Sequence, residues 1–231
     1  MNLPAFEPLA EDALLLRFGE AIDAADNARA LQLASRLREQ HFPWLRDLVP
    51  AYASLAVFFD ADRIEAPDPH AFVAAALTAN LRSVVSATAI AVRTIDIPVC
   101  YEKEMAPDLT EAADILGLSI EALIEHHSAA IYTVAMIGFA PGFPYLLGLP
   151  ESLALPRLAT PRTRVPAGSV AIGGSQAGIY PRESPGGWRL IGRTPLRLFD
   201  PNRAAPSLLV PGDKVKFCRI DHAVFLRLQS P

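Results

Sequence analysis

Residues 138–150 read GFAPGFPYLLGLP and residues 161–174 read PRTRVPAGSVAIGG; QAGIYP at 176–181 and SPGGWRLIGRTPLRLFDP at 184–201 follow. Glycine and proline here punctuate apolar runs too short for helices, which reads as short strands joined by tight turns. The segment 138–201 holds ten of the 13 glycines and ten of the 21 prolines. Working outward from it, strands are expected at 131–137, 169–172, 188–191, 196–199, 215–220 and 223–228. Such a series predicts an antiparallel, barrel-like domain. Two helices are expected before it, one over 108–116 and one capped by Ser119, with Glu121 near the positive end of its dipole.

The chain upstream is rich in alanine and leucine and has a different rhythm. A short strand over 13–18 leads to a helix that Asp23 caps, with Ala30, Leu33, Ala34 and Leu37 at i, i+3, i+4, i+7 spacing. Strands follow at 47–52 and 55–59. Pro67 and Pro69 open a second helix with Phe72, Ala75, Ala76 and Ala79 on its inner face, and Ile95, Ile97 and Val99 then alternate with polar residues. The order β-α-β-β-α-β is that of a ferredoxin-like split unit. The fold class expected is therefore α+β, with a ferredoxin-like domain over 1–92 and a β-barrel domain over 93–231.

Composition narrows the functional classes. The 231 residues are 51% hydrophobic and 20% charged, as in an ordinary globular protein. The N-terminus lacks a basic n-region, and apolar stretches such as 71–77 fall short of a membrane span, so a cytoplasmic location is expected. Cys100 and Cys218 lie far apart and read as free thiols, with no metal-ligand spacing around them. Net charge is −4, yet 138–201 carries seven arginines, no lysine and three acids. Arginine alone suits a local carboxylate or phosphate site better than a nucleic-acid surface; a solvated basic face is the alternative. No GxxxxGK[ST] phosphate loop, zinc-type cluster or G-x-S-x-G elbow is present in the sequence.

Residue by residue, Pro141-Gly142 and Pro144 stiffen a loop that displays Phe139, Phe143 and Tyr145. Phe143 is read as a substrate wall or partner anchor and Trp188 as core. Gly173-Gly174 and Gly186-Gly187 leave backbone N–H groups unshielded, open to a ligand carbonyl or phosphate; structural turns are the competing explanation.

These four blocks, with PVCYEKEMAPDL at 98–109 and GLSIEALIEHHS at 117–128, resemble a family that holds the B subunit of 5-oxoprolinase, allophanate hydrolase subunit 1 and the Kip inhibitor of a sporulation kinase. The chain is also similar to one half of the carboxyltransferase domain of urea carboxylase. The resemblance implies a ferredoxin-like domain followed by a cyclophilin-like barrel. It also implies a larger partner, the C subunit, and a third chain, the A subunit. Together these would open 5-oxoproline to glutamate with ATP, bound mainly by or with the partners. A carboxyltransferase component using carboxybiotin and urea, or an inhibitor of a histidine kinase, are the alternatives within it. No metal, nucleic acid or membrane is expected.

A lactam resists water, and phosphorylation of its oxygen would make that oxygen a leaving group; this chemistry needs cations at the phosphoryl oxygens and a base for water. Arg162, Arg164 and Arg193 are the cationic candidates. Gln176 and Tyr180 would orient substrate, beside Gly173, Gly174, Gly186, Gly187 and Phe143. His127, which matches the family's histidine, is the general-base candidate; a histidine satisfied at a helix C-terminus is the other reading. Two departures stand out: Ala177 replaces the usual threonine of QTG(I/V)YP, and Glu102 replaces the usual glycine after PVCY.

Overall fold

The computed structural model describes residues 4–84 and 93–229, and the chain divides into two compact units, Met1–Ala91 and Val92–Pro231. In the first, β1 (Ala5–Ala10), β2 (Ala13–Arg17), α1 (Ala24–Gln40), β3 (Leu45–Pro50), β4 (Ser54–Phe59) and α2 (Pro69–Val84) follow one another. The sheet order is β1-β2-β4-β3, with all neighbours antiparallel. Asp23 caps α1 through the N–H groups of Ala25 and Asp26, and Ala30, Leu33, Ala34 and Leu37 are buried as their spacing predicts. Against the sheet they meet Leu16, Leu55, Val57 and Phe59.

Two readings of this unit are corrected. The buried stripe of α2 is Val73, Leu77 and Asn80, while Phe72, Ala75 and Ala79 are exposed. The expected stripe was one residue out, about 100° around the helix. A run so rich in alanine carries too little contrast to fix its phase; Val73 and Leu77 bury more apolar area than the alanines beside them. The β-α-β-β-α-β order also fails, because β1 adds an edge strand and the strand at Ile95–Val99 belongs to the other unit. The ferredoxin-like reading is not borne out.

The second unit is a closed barrel in the order β10-β7-β6-β13-β5-β12-β9. Its elements are β5 (Thr94–Cys100), α3 (Leu109–Leu116), α4 (Ile120–Ala129), β6 (Ile131–Ile137), β7 (Pro144–Leu147), β8 (Arg162–Val165), β9 (Ser169–Gly173), β10 (Gln176–Ile179), β11 (Ser184–Gly186), β12 (Arg189–Arg193), β13 (Lys214–Ile220) and α5 (His222–Gln229). β8 and β11 form a separate two-stranded ribbon. The barrel is not wholly antiparallel: β13 runs parallel to β5 along seven residue pairs. The two strands open and close the unit, so no hairpin constrains their direction. Ile97, Val99, Tyr132, Val134, Val170, Ile172, Val215 and Phe217 fill the interior core.

Residues 223–228, expected as a strand, lie in α5. Asp221 accepts the Val224 N–H at 2.7 Å and Glu102 accepts the His222 N–H at 2.9 Å, a two-carboxylate start that alternation alone does not reveal. Only Phe225 of this helix is buried. Residues 196–199 form a single bridge, Phe199 to Ser207, instead of a strand. Among the described residues no helix is long and apolar enough to cross a membrane.

Candidate functional site

The barrel wall made by β10, β9 and β12 has two chemically different faces. Ala177, Ile179, Val170, Ile172 and Ile191 point into the barrel core. By the alternation of a pleated strand, Gln176 and Gly178 of β10 and Gly173, Ala171 and Ser169 of β9 point outward; an irregularity between Leu190 and Gly192 of β12 breaks its alternation, so that Leu190 and Arg193, opposite Ala171 and Ser169, share that face. Tyr180 continues β10: its N–H donates to the Ser169 carbonyl at 2.9 Å, and its carbonyl accepts the Gly168 N–H at 2.7 Å. Arg193 pairs with Ser169 from the other side. The outer wall thus presents Tyr180 and Arg193 on either flank of Ser169.

A second, smaller core sits on this outer face, where Phe143, Tyr180 and Trp188 pack with Val165, Ala171 and Leu190. Phe143 stands edge-on to Tyr180 at 5.2 Å and to Trp188 at 5.7 Å between ring centroids. Glycine makes the room. A Cβ on Gly173 would lie 2.6 Å from the Trp188 ring, one on Gly178 2.9 Å from Phe143, and one on Gly186 2.3 Å from the Tyr180 hydroxyl. These glycines seat the rings. Gly174 and Gly187 also have backbone partners: the Gly174 N–H donates to Leu155 at 2.7 Å, and the Gly187 carbonyl accepts from Leu158.

Phe143 is buried in this cluster; the exposed aromatic of its loop is Phe139, 61% accessible and at a positive φ of 64°. That conformation is uncommon for a bulky residue and costs backbone strain. Phe139 rests edge-on against Phe143 at 5.4 Å and Tyr180 at 6.2 Å. Trp188 is buried, with the Arg157 guanidinium 5.6 Å above its ring.

Four of the seven arginines in 138–201 pair with carboxylates. Arg162 pairs from β8 with Asp108, a carboxylate only 5% exposed whose Oδ2 accepts the Leu190 N–H at 2.7 Å. Arg162 lies opposite Gly186 and hence beside the Tyr180 hydroxyl. One of its terminal nitrogens is buried without a partner, as is the Ser184 hydroxyl on the facing strand β11. Burial raises the Tyr180 pKa, while Arg157 and Arg162 pull it back, so both charges act on this phenol. Arg164 lies outside this group: it forms a two-point ion pair with Glu183, and its side chain is 76% exposed. Arg189 and Arg197 are structural, pairing with Glu111 at 3.0 Å and Asp200 at 3.2 Å.

Gln176 lies on the same outer face, half-buried beside Gly173. His127 does not join the group. It is fully buried, stacked on Phe217 at 4.5 Å, with the Tyr101 hydroxyl 2.8 Å from Nδ1. Burial pushes its pKa down to about 3, so the ring is a neutral core element, and its Nε2 is buried without a hydrogen-bond partner. Ala177 faces the barrel interior, so the missing threonine hydroxyl is absent from the core and not from the outer face. Among the described residues no cluster of three His, Cys, Asp or Glu side chains could hold a metal ion.

Sequence reading missed Asp108 and Arg157. Asp108 lies within PVCYEKEMAPDL, already part of the resemblance, but there it looks like a helix cap. Its partners lie 54 and 82 residues away and only folding reveals them.

The site and its barrel define a carboxyltransferase-type domain. Residues 4–209 match the family model described as carboxyltransferase domain, subdomain C and D, and the chain belongs to that family. Within it, the chain is 42% identical over 220 residues to the 5-oxoprolinase B subunit of Bacillus subtilis, covering 93% of this chain and 92% of that one. The crystal structure of TTHA0988 superposes with a TM-score of 0.76 at 40% identity, covering 91% of this chain; the chain spans 40% of that protein's length. Kluyveromyces lactis urea carboxylase shares the fold at TM-score 0.71 and 19% identity, over 96% of this chain and 22% of that one.

Proposed function

We propose that the chain is the B subunit of an ATP-dependent 5-oxoprolinase that opens 5-oxo-L-proline to L-glutamate together with A and C subunits, in the cytoplasm. The observation that carries this reading is the near full-length identity to the B subunit of Bacillus subtilis 5-oxoprolinase, on both chains. The likeness to urea carboxylase is one of fold alone at 19% identity and gives the carboxyl-transfer reading less support.

The outer face suits the chemistry. When the lactam oxygen takes a phosphoryl group, negative charge gathers on the phosphoryl oxygens, and a fixed guanidinium stabilises it without reorganising. Arg162 meets that need: Asp108 orients it, and its side chain is 30% exposed, with one terminal nitrogen buried and unpartnered. Tyr180 and Gln176 offer hydrogen bonds to substrate, with the rings of Phe143 and Trp188 buried behind them. The residue that activates water comes from a partner chain, since His127 is sealed in the core. A cyclophilin-like description of the barrel fits this reading.

Reconstitution tests it. The purified chain alone is expected to be inert, and ATP-dependent glutamate production is expected only when all three subunits are combined. Turnover that persists at the same rate without this chain would contradict the proposal. Co-purification with a biotinylated chain and urea-dependent carboxyl transfer would replace it with the carboxyltransferase reading.

A further inference from the structure

Arg193 differs from the other arginines of the segment. Its Nε donates to the Ala167 carbonyl at 2.7 Å, and among the described residues no carboxylate pairs with it. The side chain is half-buried, and burial lowers its pKa, in contrast to Arg93 and Arg164, which aspartate and glutamate partners hold above the usual value. A guanidinium taken partly out of water with no counter-charge is an unusual arrangement, because desolvating a charge is costly unless something compensates it. The backbone holds it there. Arg193 ends β12, paired with Ser169 on one side and Cys100 on the other, and the Gly168 turn lies against its stem, 3.5 Å from where a Cβ would sit.

With Nε occupied by a carbonyl, the two terminal nitrogens are the donors left over. They form the planar fork that matches a carboxylate at two points. The direction of this fork is set by the Ala167 bond, and across Ser169 stands Tyr180, whose hydroxyl adjoins Arg162. Two cations therefore serve one outer face with different surroundings: Arg162 is already neutralised by Asp108, and Arg193 is not.

We propose that Arg193 is the specificity residue of the site, receiving the carboxylate of a small lactam acid through its two terminal nitrogens and orienting the lactam toward Tyr180 and Arg162. The inference rests on the 5-oxoprolinase reading for the ligand's identity and on the unpaired fork for its placement. The two arginines then have separate roles. Arg193 reads the ground-state carboxylate, and Arg162 serves the charge that develops at the lactam oxygen. The carboxylate binds equally well before and during reaction, so loss of Arg193 should appear in KM.

The test uses the complex of all three subunits with 5-oxoproline and with 2-pyrrolidinone, the same ring without the carboxylate. In Arg193→Gln the KM for 5-oxoproline is expected to rise at least tenfold with kcat within threefold, and preference for 5-oxoproline over 2-pyrrolidinone should collapse. Arg193→Lys should recover part of the loss, since it restores charge without the fork. An unchanged KM for 5-oxoproline in Arg193→Gln, with the wild-type complex active, overturns the proposal and leaves the 5-oxoprolinase reading standing. A wild-type complex that ignores 5-oxoproline overturns that reading instead. In that event the proposal is decided by titrating the full chain, its arginine guanidinium nitrogens labelled with nitrogen-15, with 5-oxoproline. A shift of the signal lost in Arg193→Gln supports it, and no shift overturns it.

Discussion

Two aromatic clusters in the barrel unit use nearly the same residue types to opposite ends. Inside, Tyr101, His127, Tyr132 and Phe217 pack around an imidazole that burial keeps neutral. Outside, Phe143, Tyr145, Tyr180 and Trp188 pack around glycines, with arginines at their edge. The inner cluster joins the Tyr132 hydroxyl to the His127 carbonyl at 3.1 Å and the Tyr101 hydroxyl to Nδ1, but leaves His127 Nε2 buried without a partner. The outer cluster leaves a cation nitrogen and a serine hydroxyl without partners. Buried polar groups normally find partners, yet each cluster leaves some over, so the difference lies in charge: the inner orphan belongs to a neutral imidazole and the outer nitrogen to a guanidinium. An unpartnered atom is thus a pointer to function only together with the charge and exposure of the group that carries it.

The contrast can be broken most severely at Asp108. Asp108→Ala removes the counter-charge of Arg162 and the acceptor of the Leu190 N–H together. The expected loss is about 3 kcal/mol of stability, measured by urea unfolding, at the low end for a broken buried pair because Arg162 is part-exposed. A loss below about 1 kcal/mol would mean that the pair does not organise the outer face. Gly173→Ala drives a methyl group into the Trp188 ring and is expected to cost about 2 kcal/mol with a change in Trp188 fluorescence. If both stay unchanged, the ring is not seated on the glycine.

The inner cluster responds to pH. The His127 pKa is about 3 in the folded chain against 6.5 for a free imidazole, so between these values the unfolded chain binds a proton that the folded one refuses. Stability therefore falls as pH drops from 6.5 toward 3, with a steepest contribution of about 1.4 kcal/mol per pH unit. In His127→Leu the slope between pH 6.5 and 5 should flatten; an identical slope would place the imidazole in water. The smallest effect is expected at Arg164. Its partner Glu183 is itself half-exposed, so Arg164→Ala should leave stability and the KM for 5-oxoproline within experimental error. A large KM increase would return it to the site.

Much of this was legible in the residues. The Gly/Pro blocks announced the barrel, because turn chemistry is a local property. The strand at 94–100 was visible from its alternation, but its membership was not, since pairing with β13 spans the whole unit. α5 was missed because its decisive contacts are two carboxylates, one of them 120 residues away. Within the site, Arg162, Arg193, Tyr180 and Gln176 were legible as residue types. Which arginine already had a counter-charge was not, because Asp108, Glu183 and Glu111 reach their partners only through the fold. His127 illustrates the converse: its sequence neighbourhood allows a general base or a histidine satisfied at a helix C-terminus, and only the fold shows it buried in α4 and stacked on Phe217.

The most direct test places a reporter in the outer cluster. The chain has two tryptophans, Trp188 on the outer barrel face and Trp44 in the core of the other unit, and both can be labelled with 5-fluorotryptophan. When 5-oxoproline and ATP are added to the assembled complex built with labelled chain, the fluorine resonance of Trp188 is expected to shift while that of Trp44 stays in place. A Trp188 signal that does not move while glutamate is being produced would contradict the account, because the reaction would then be taking place away from the face that Arg162, Tyr180 and Arg193 share.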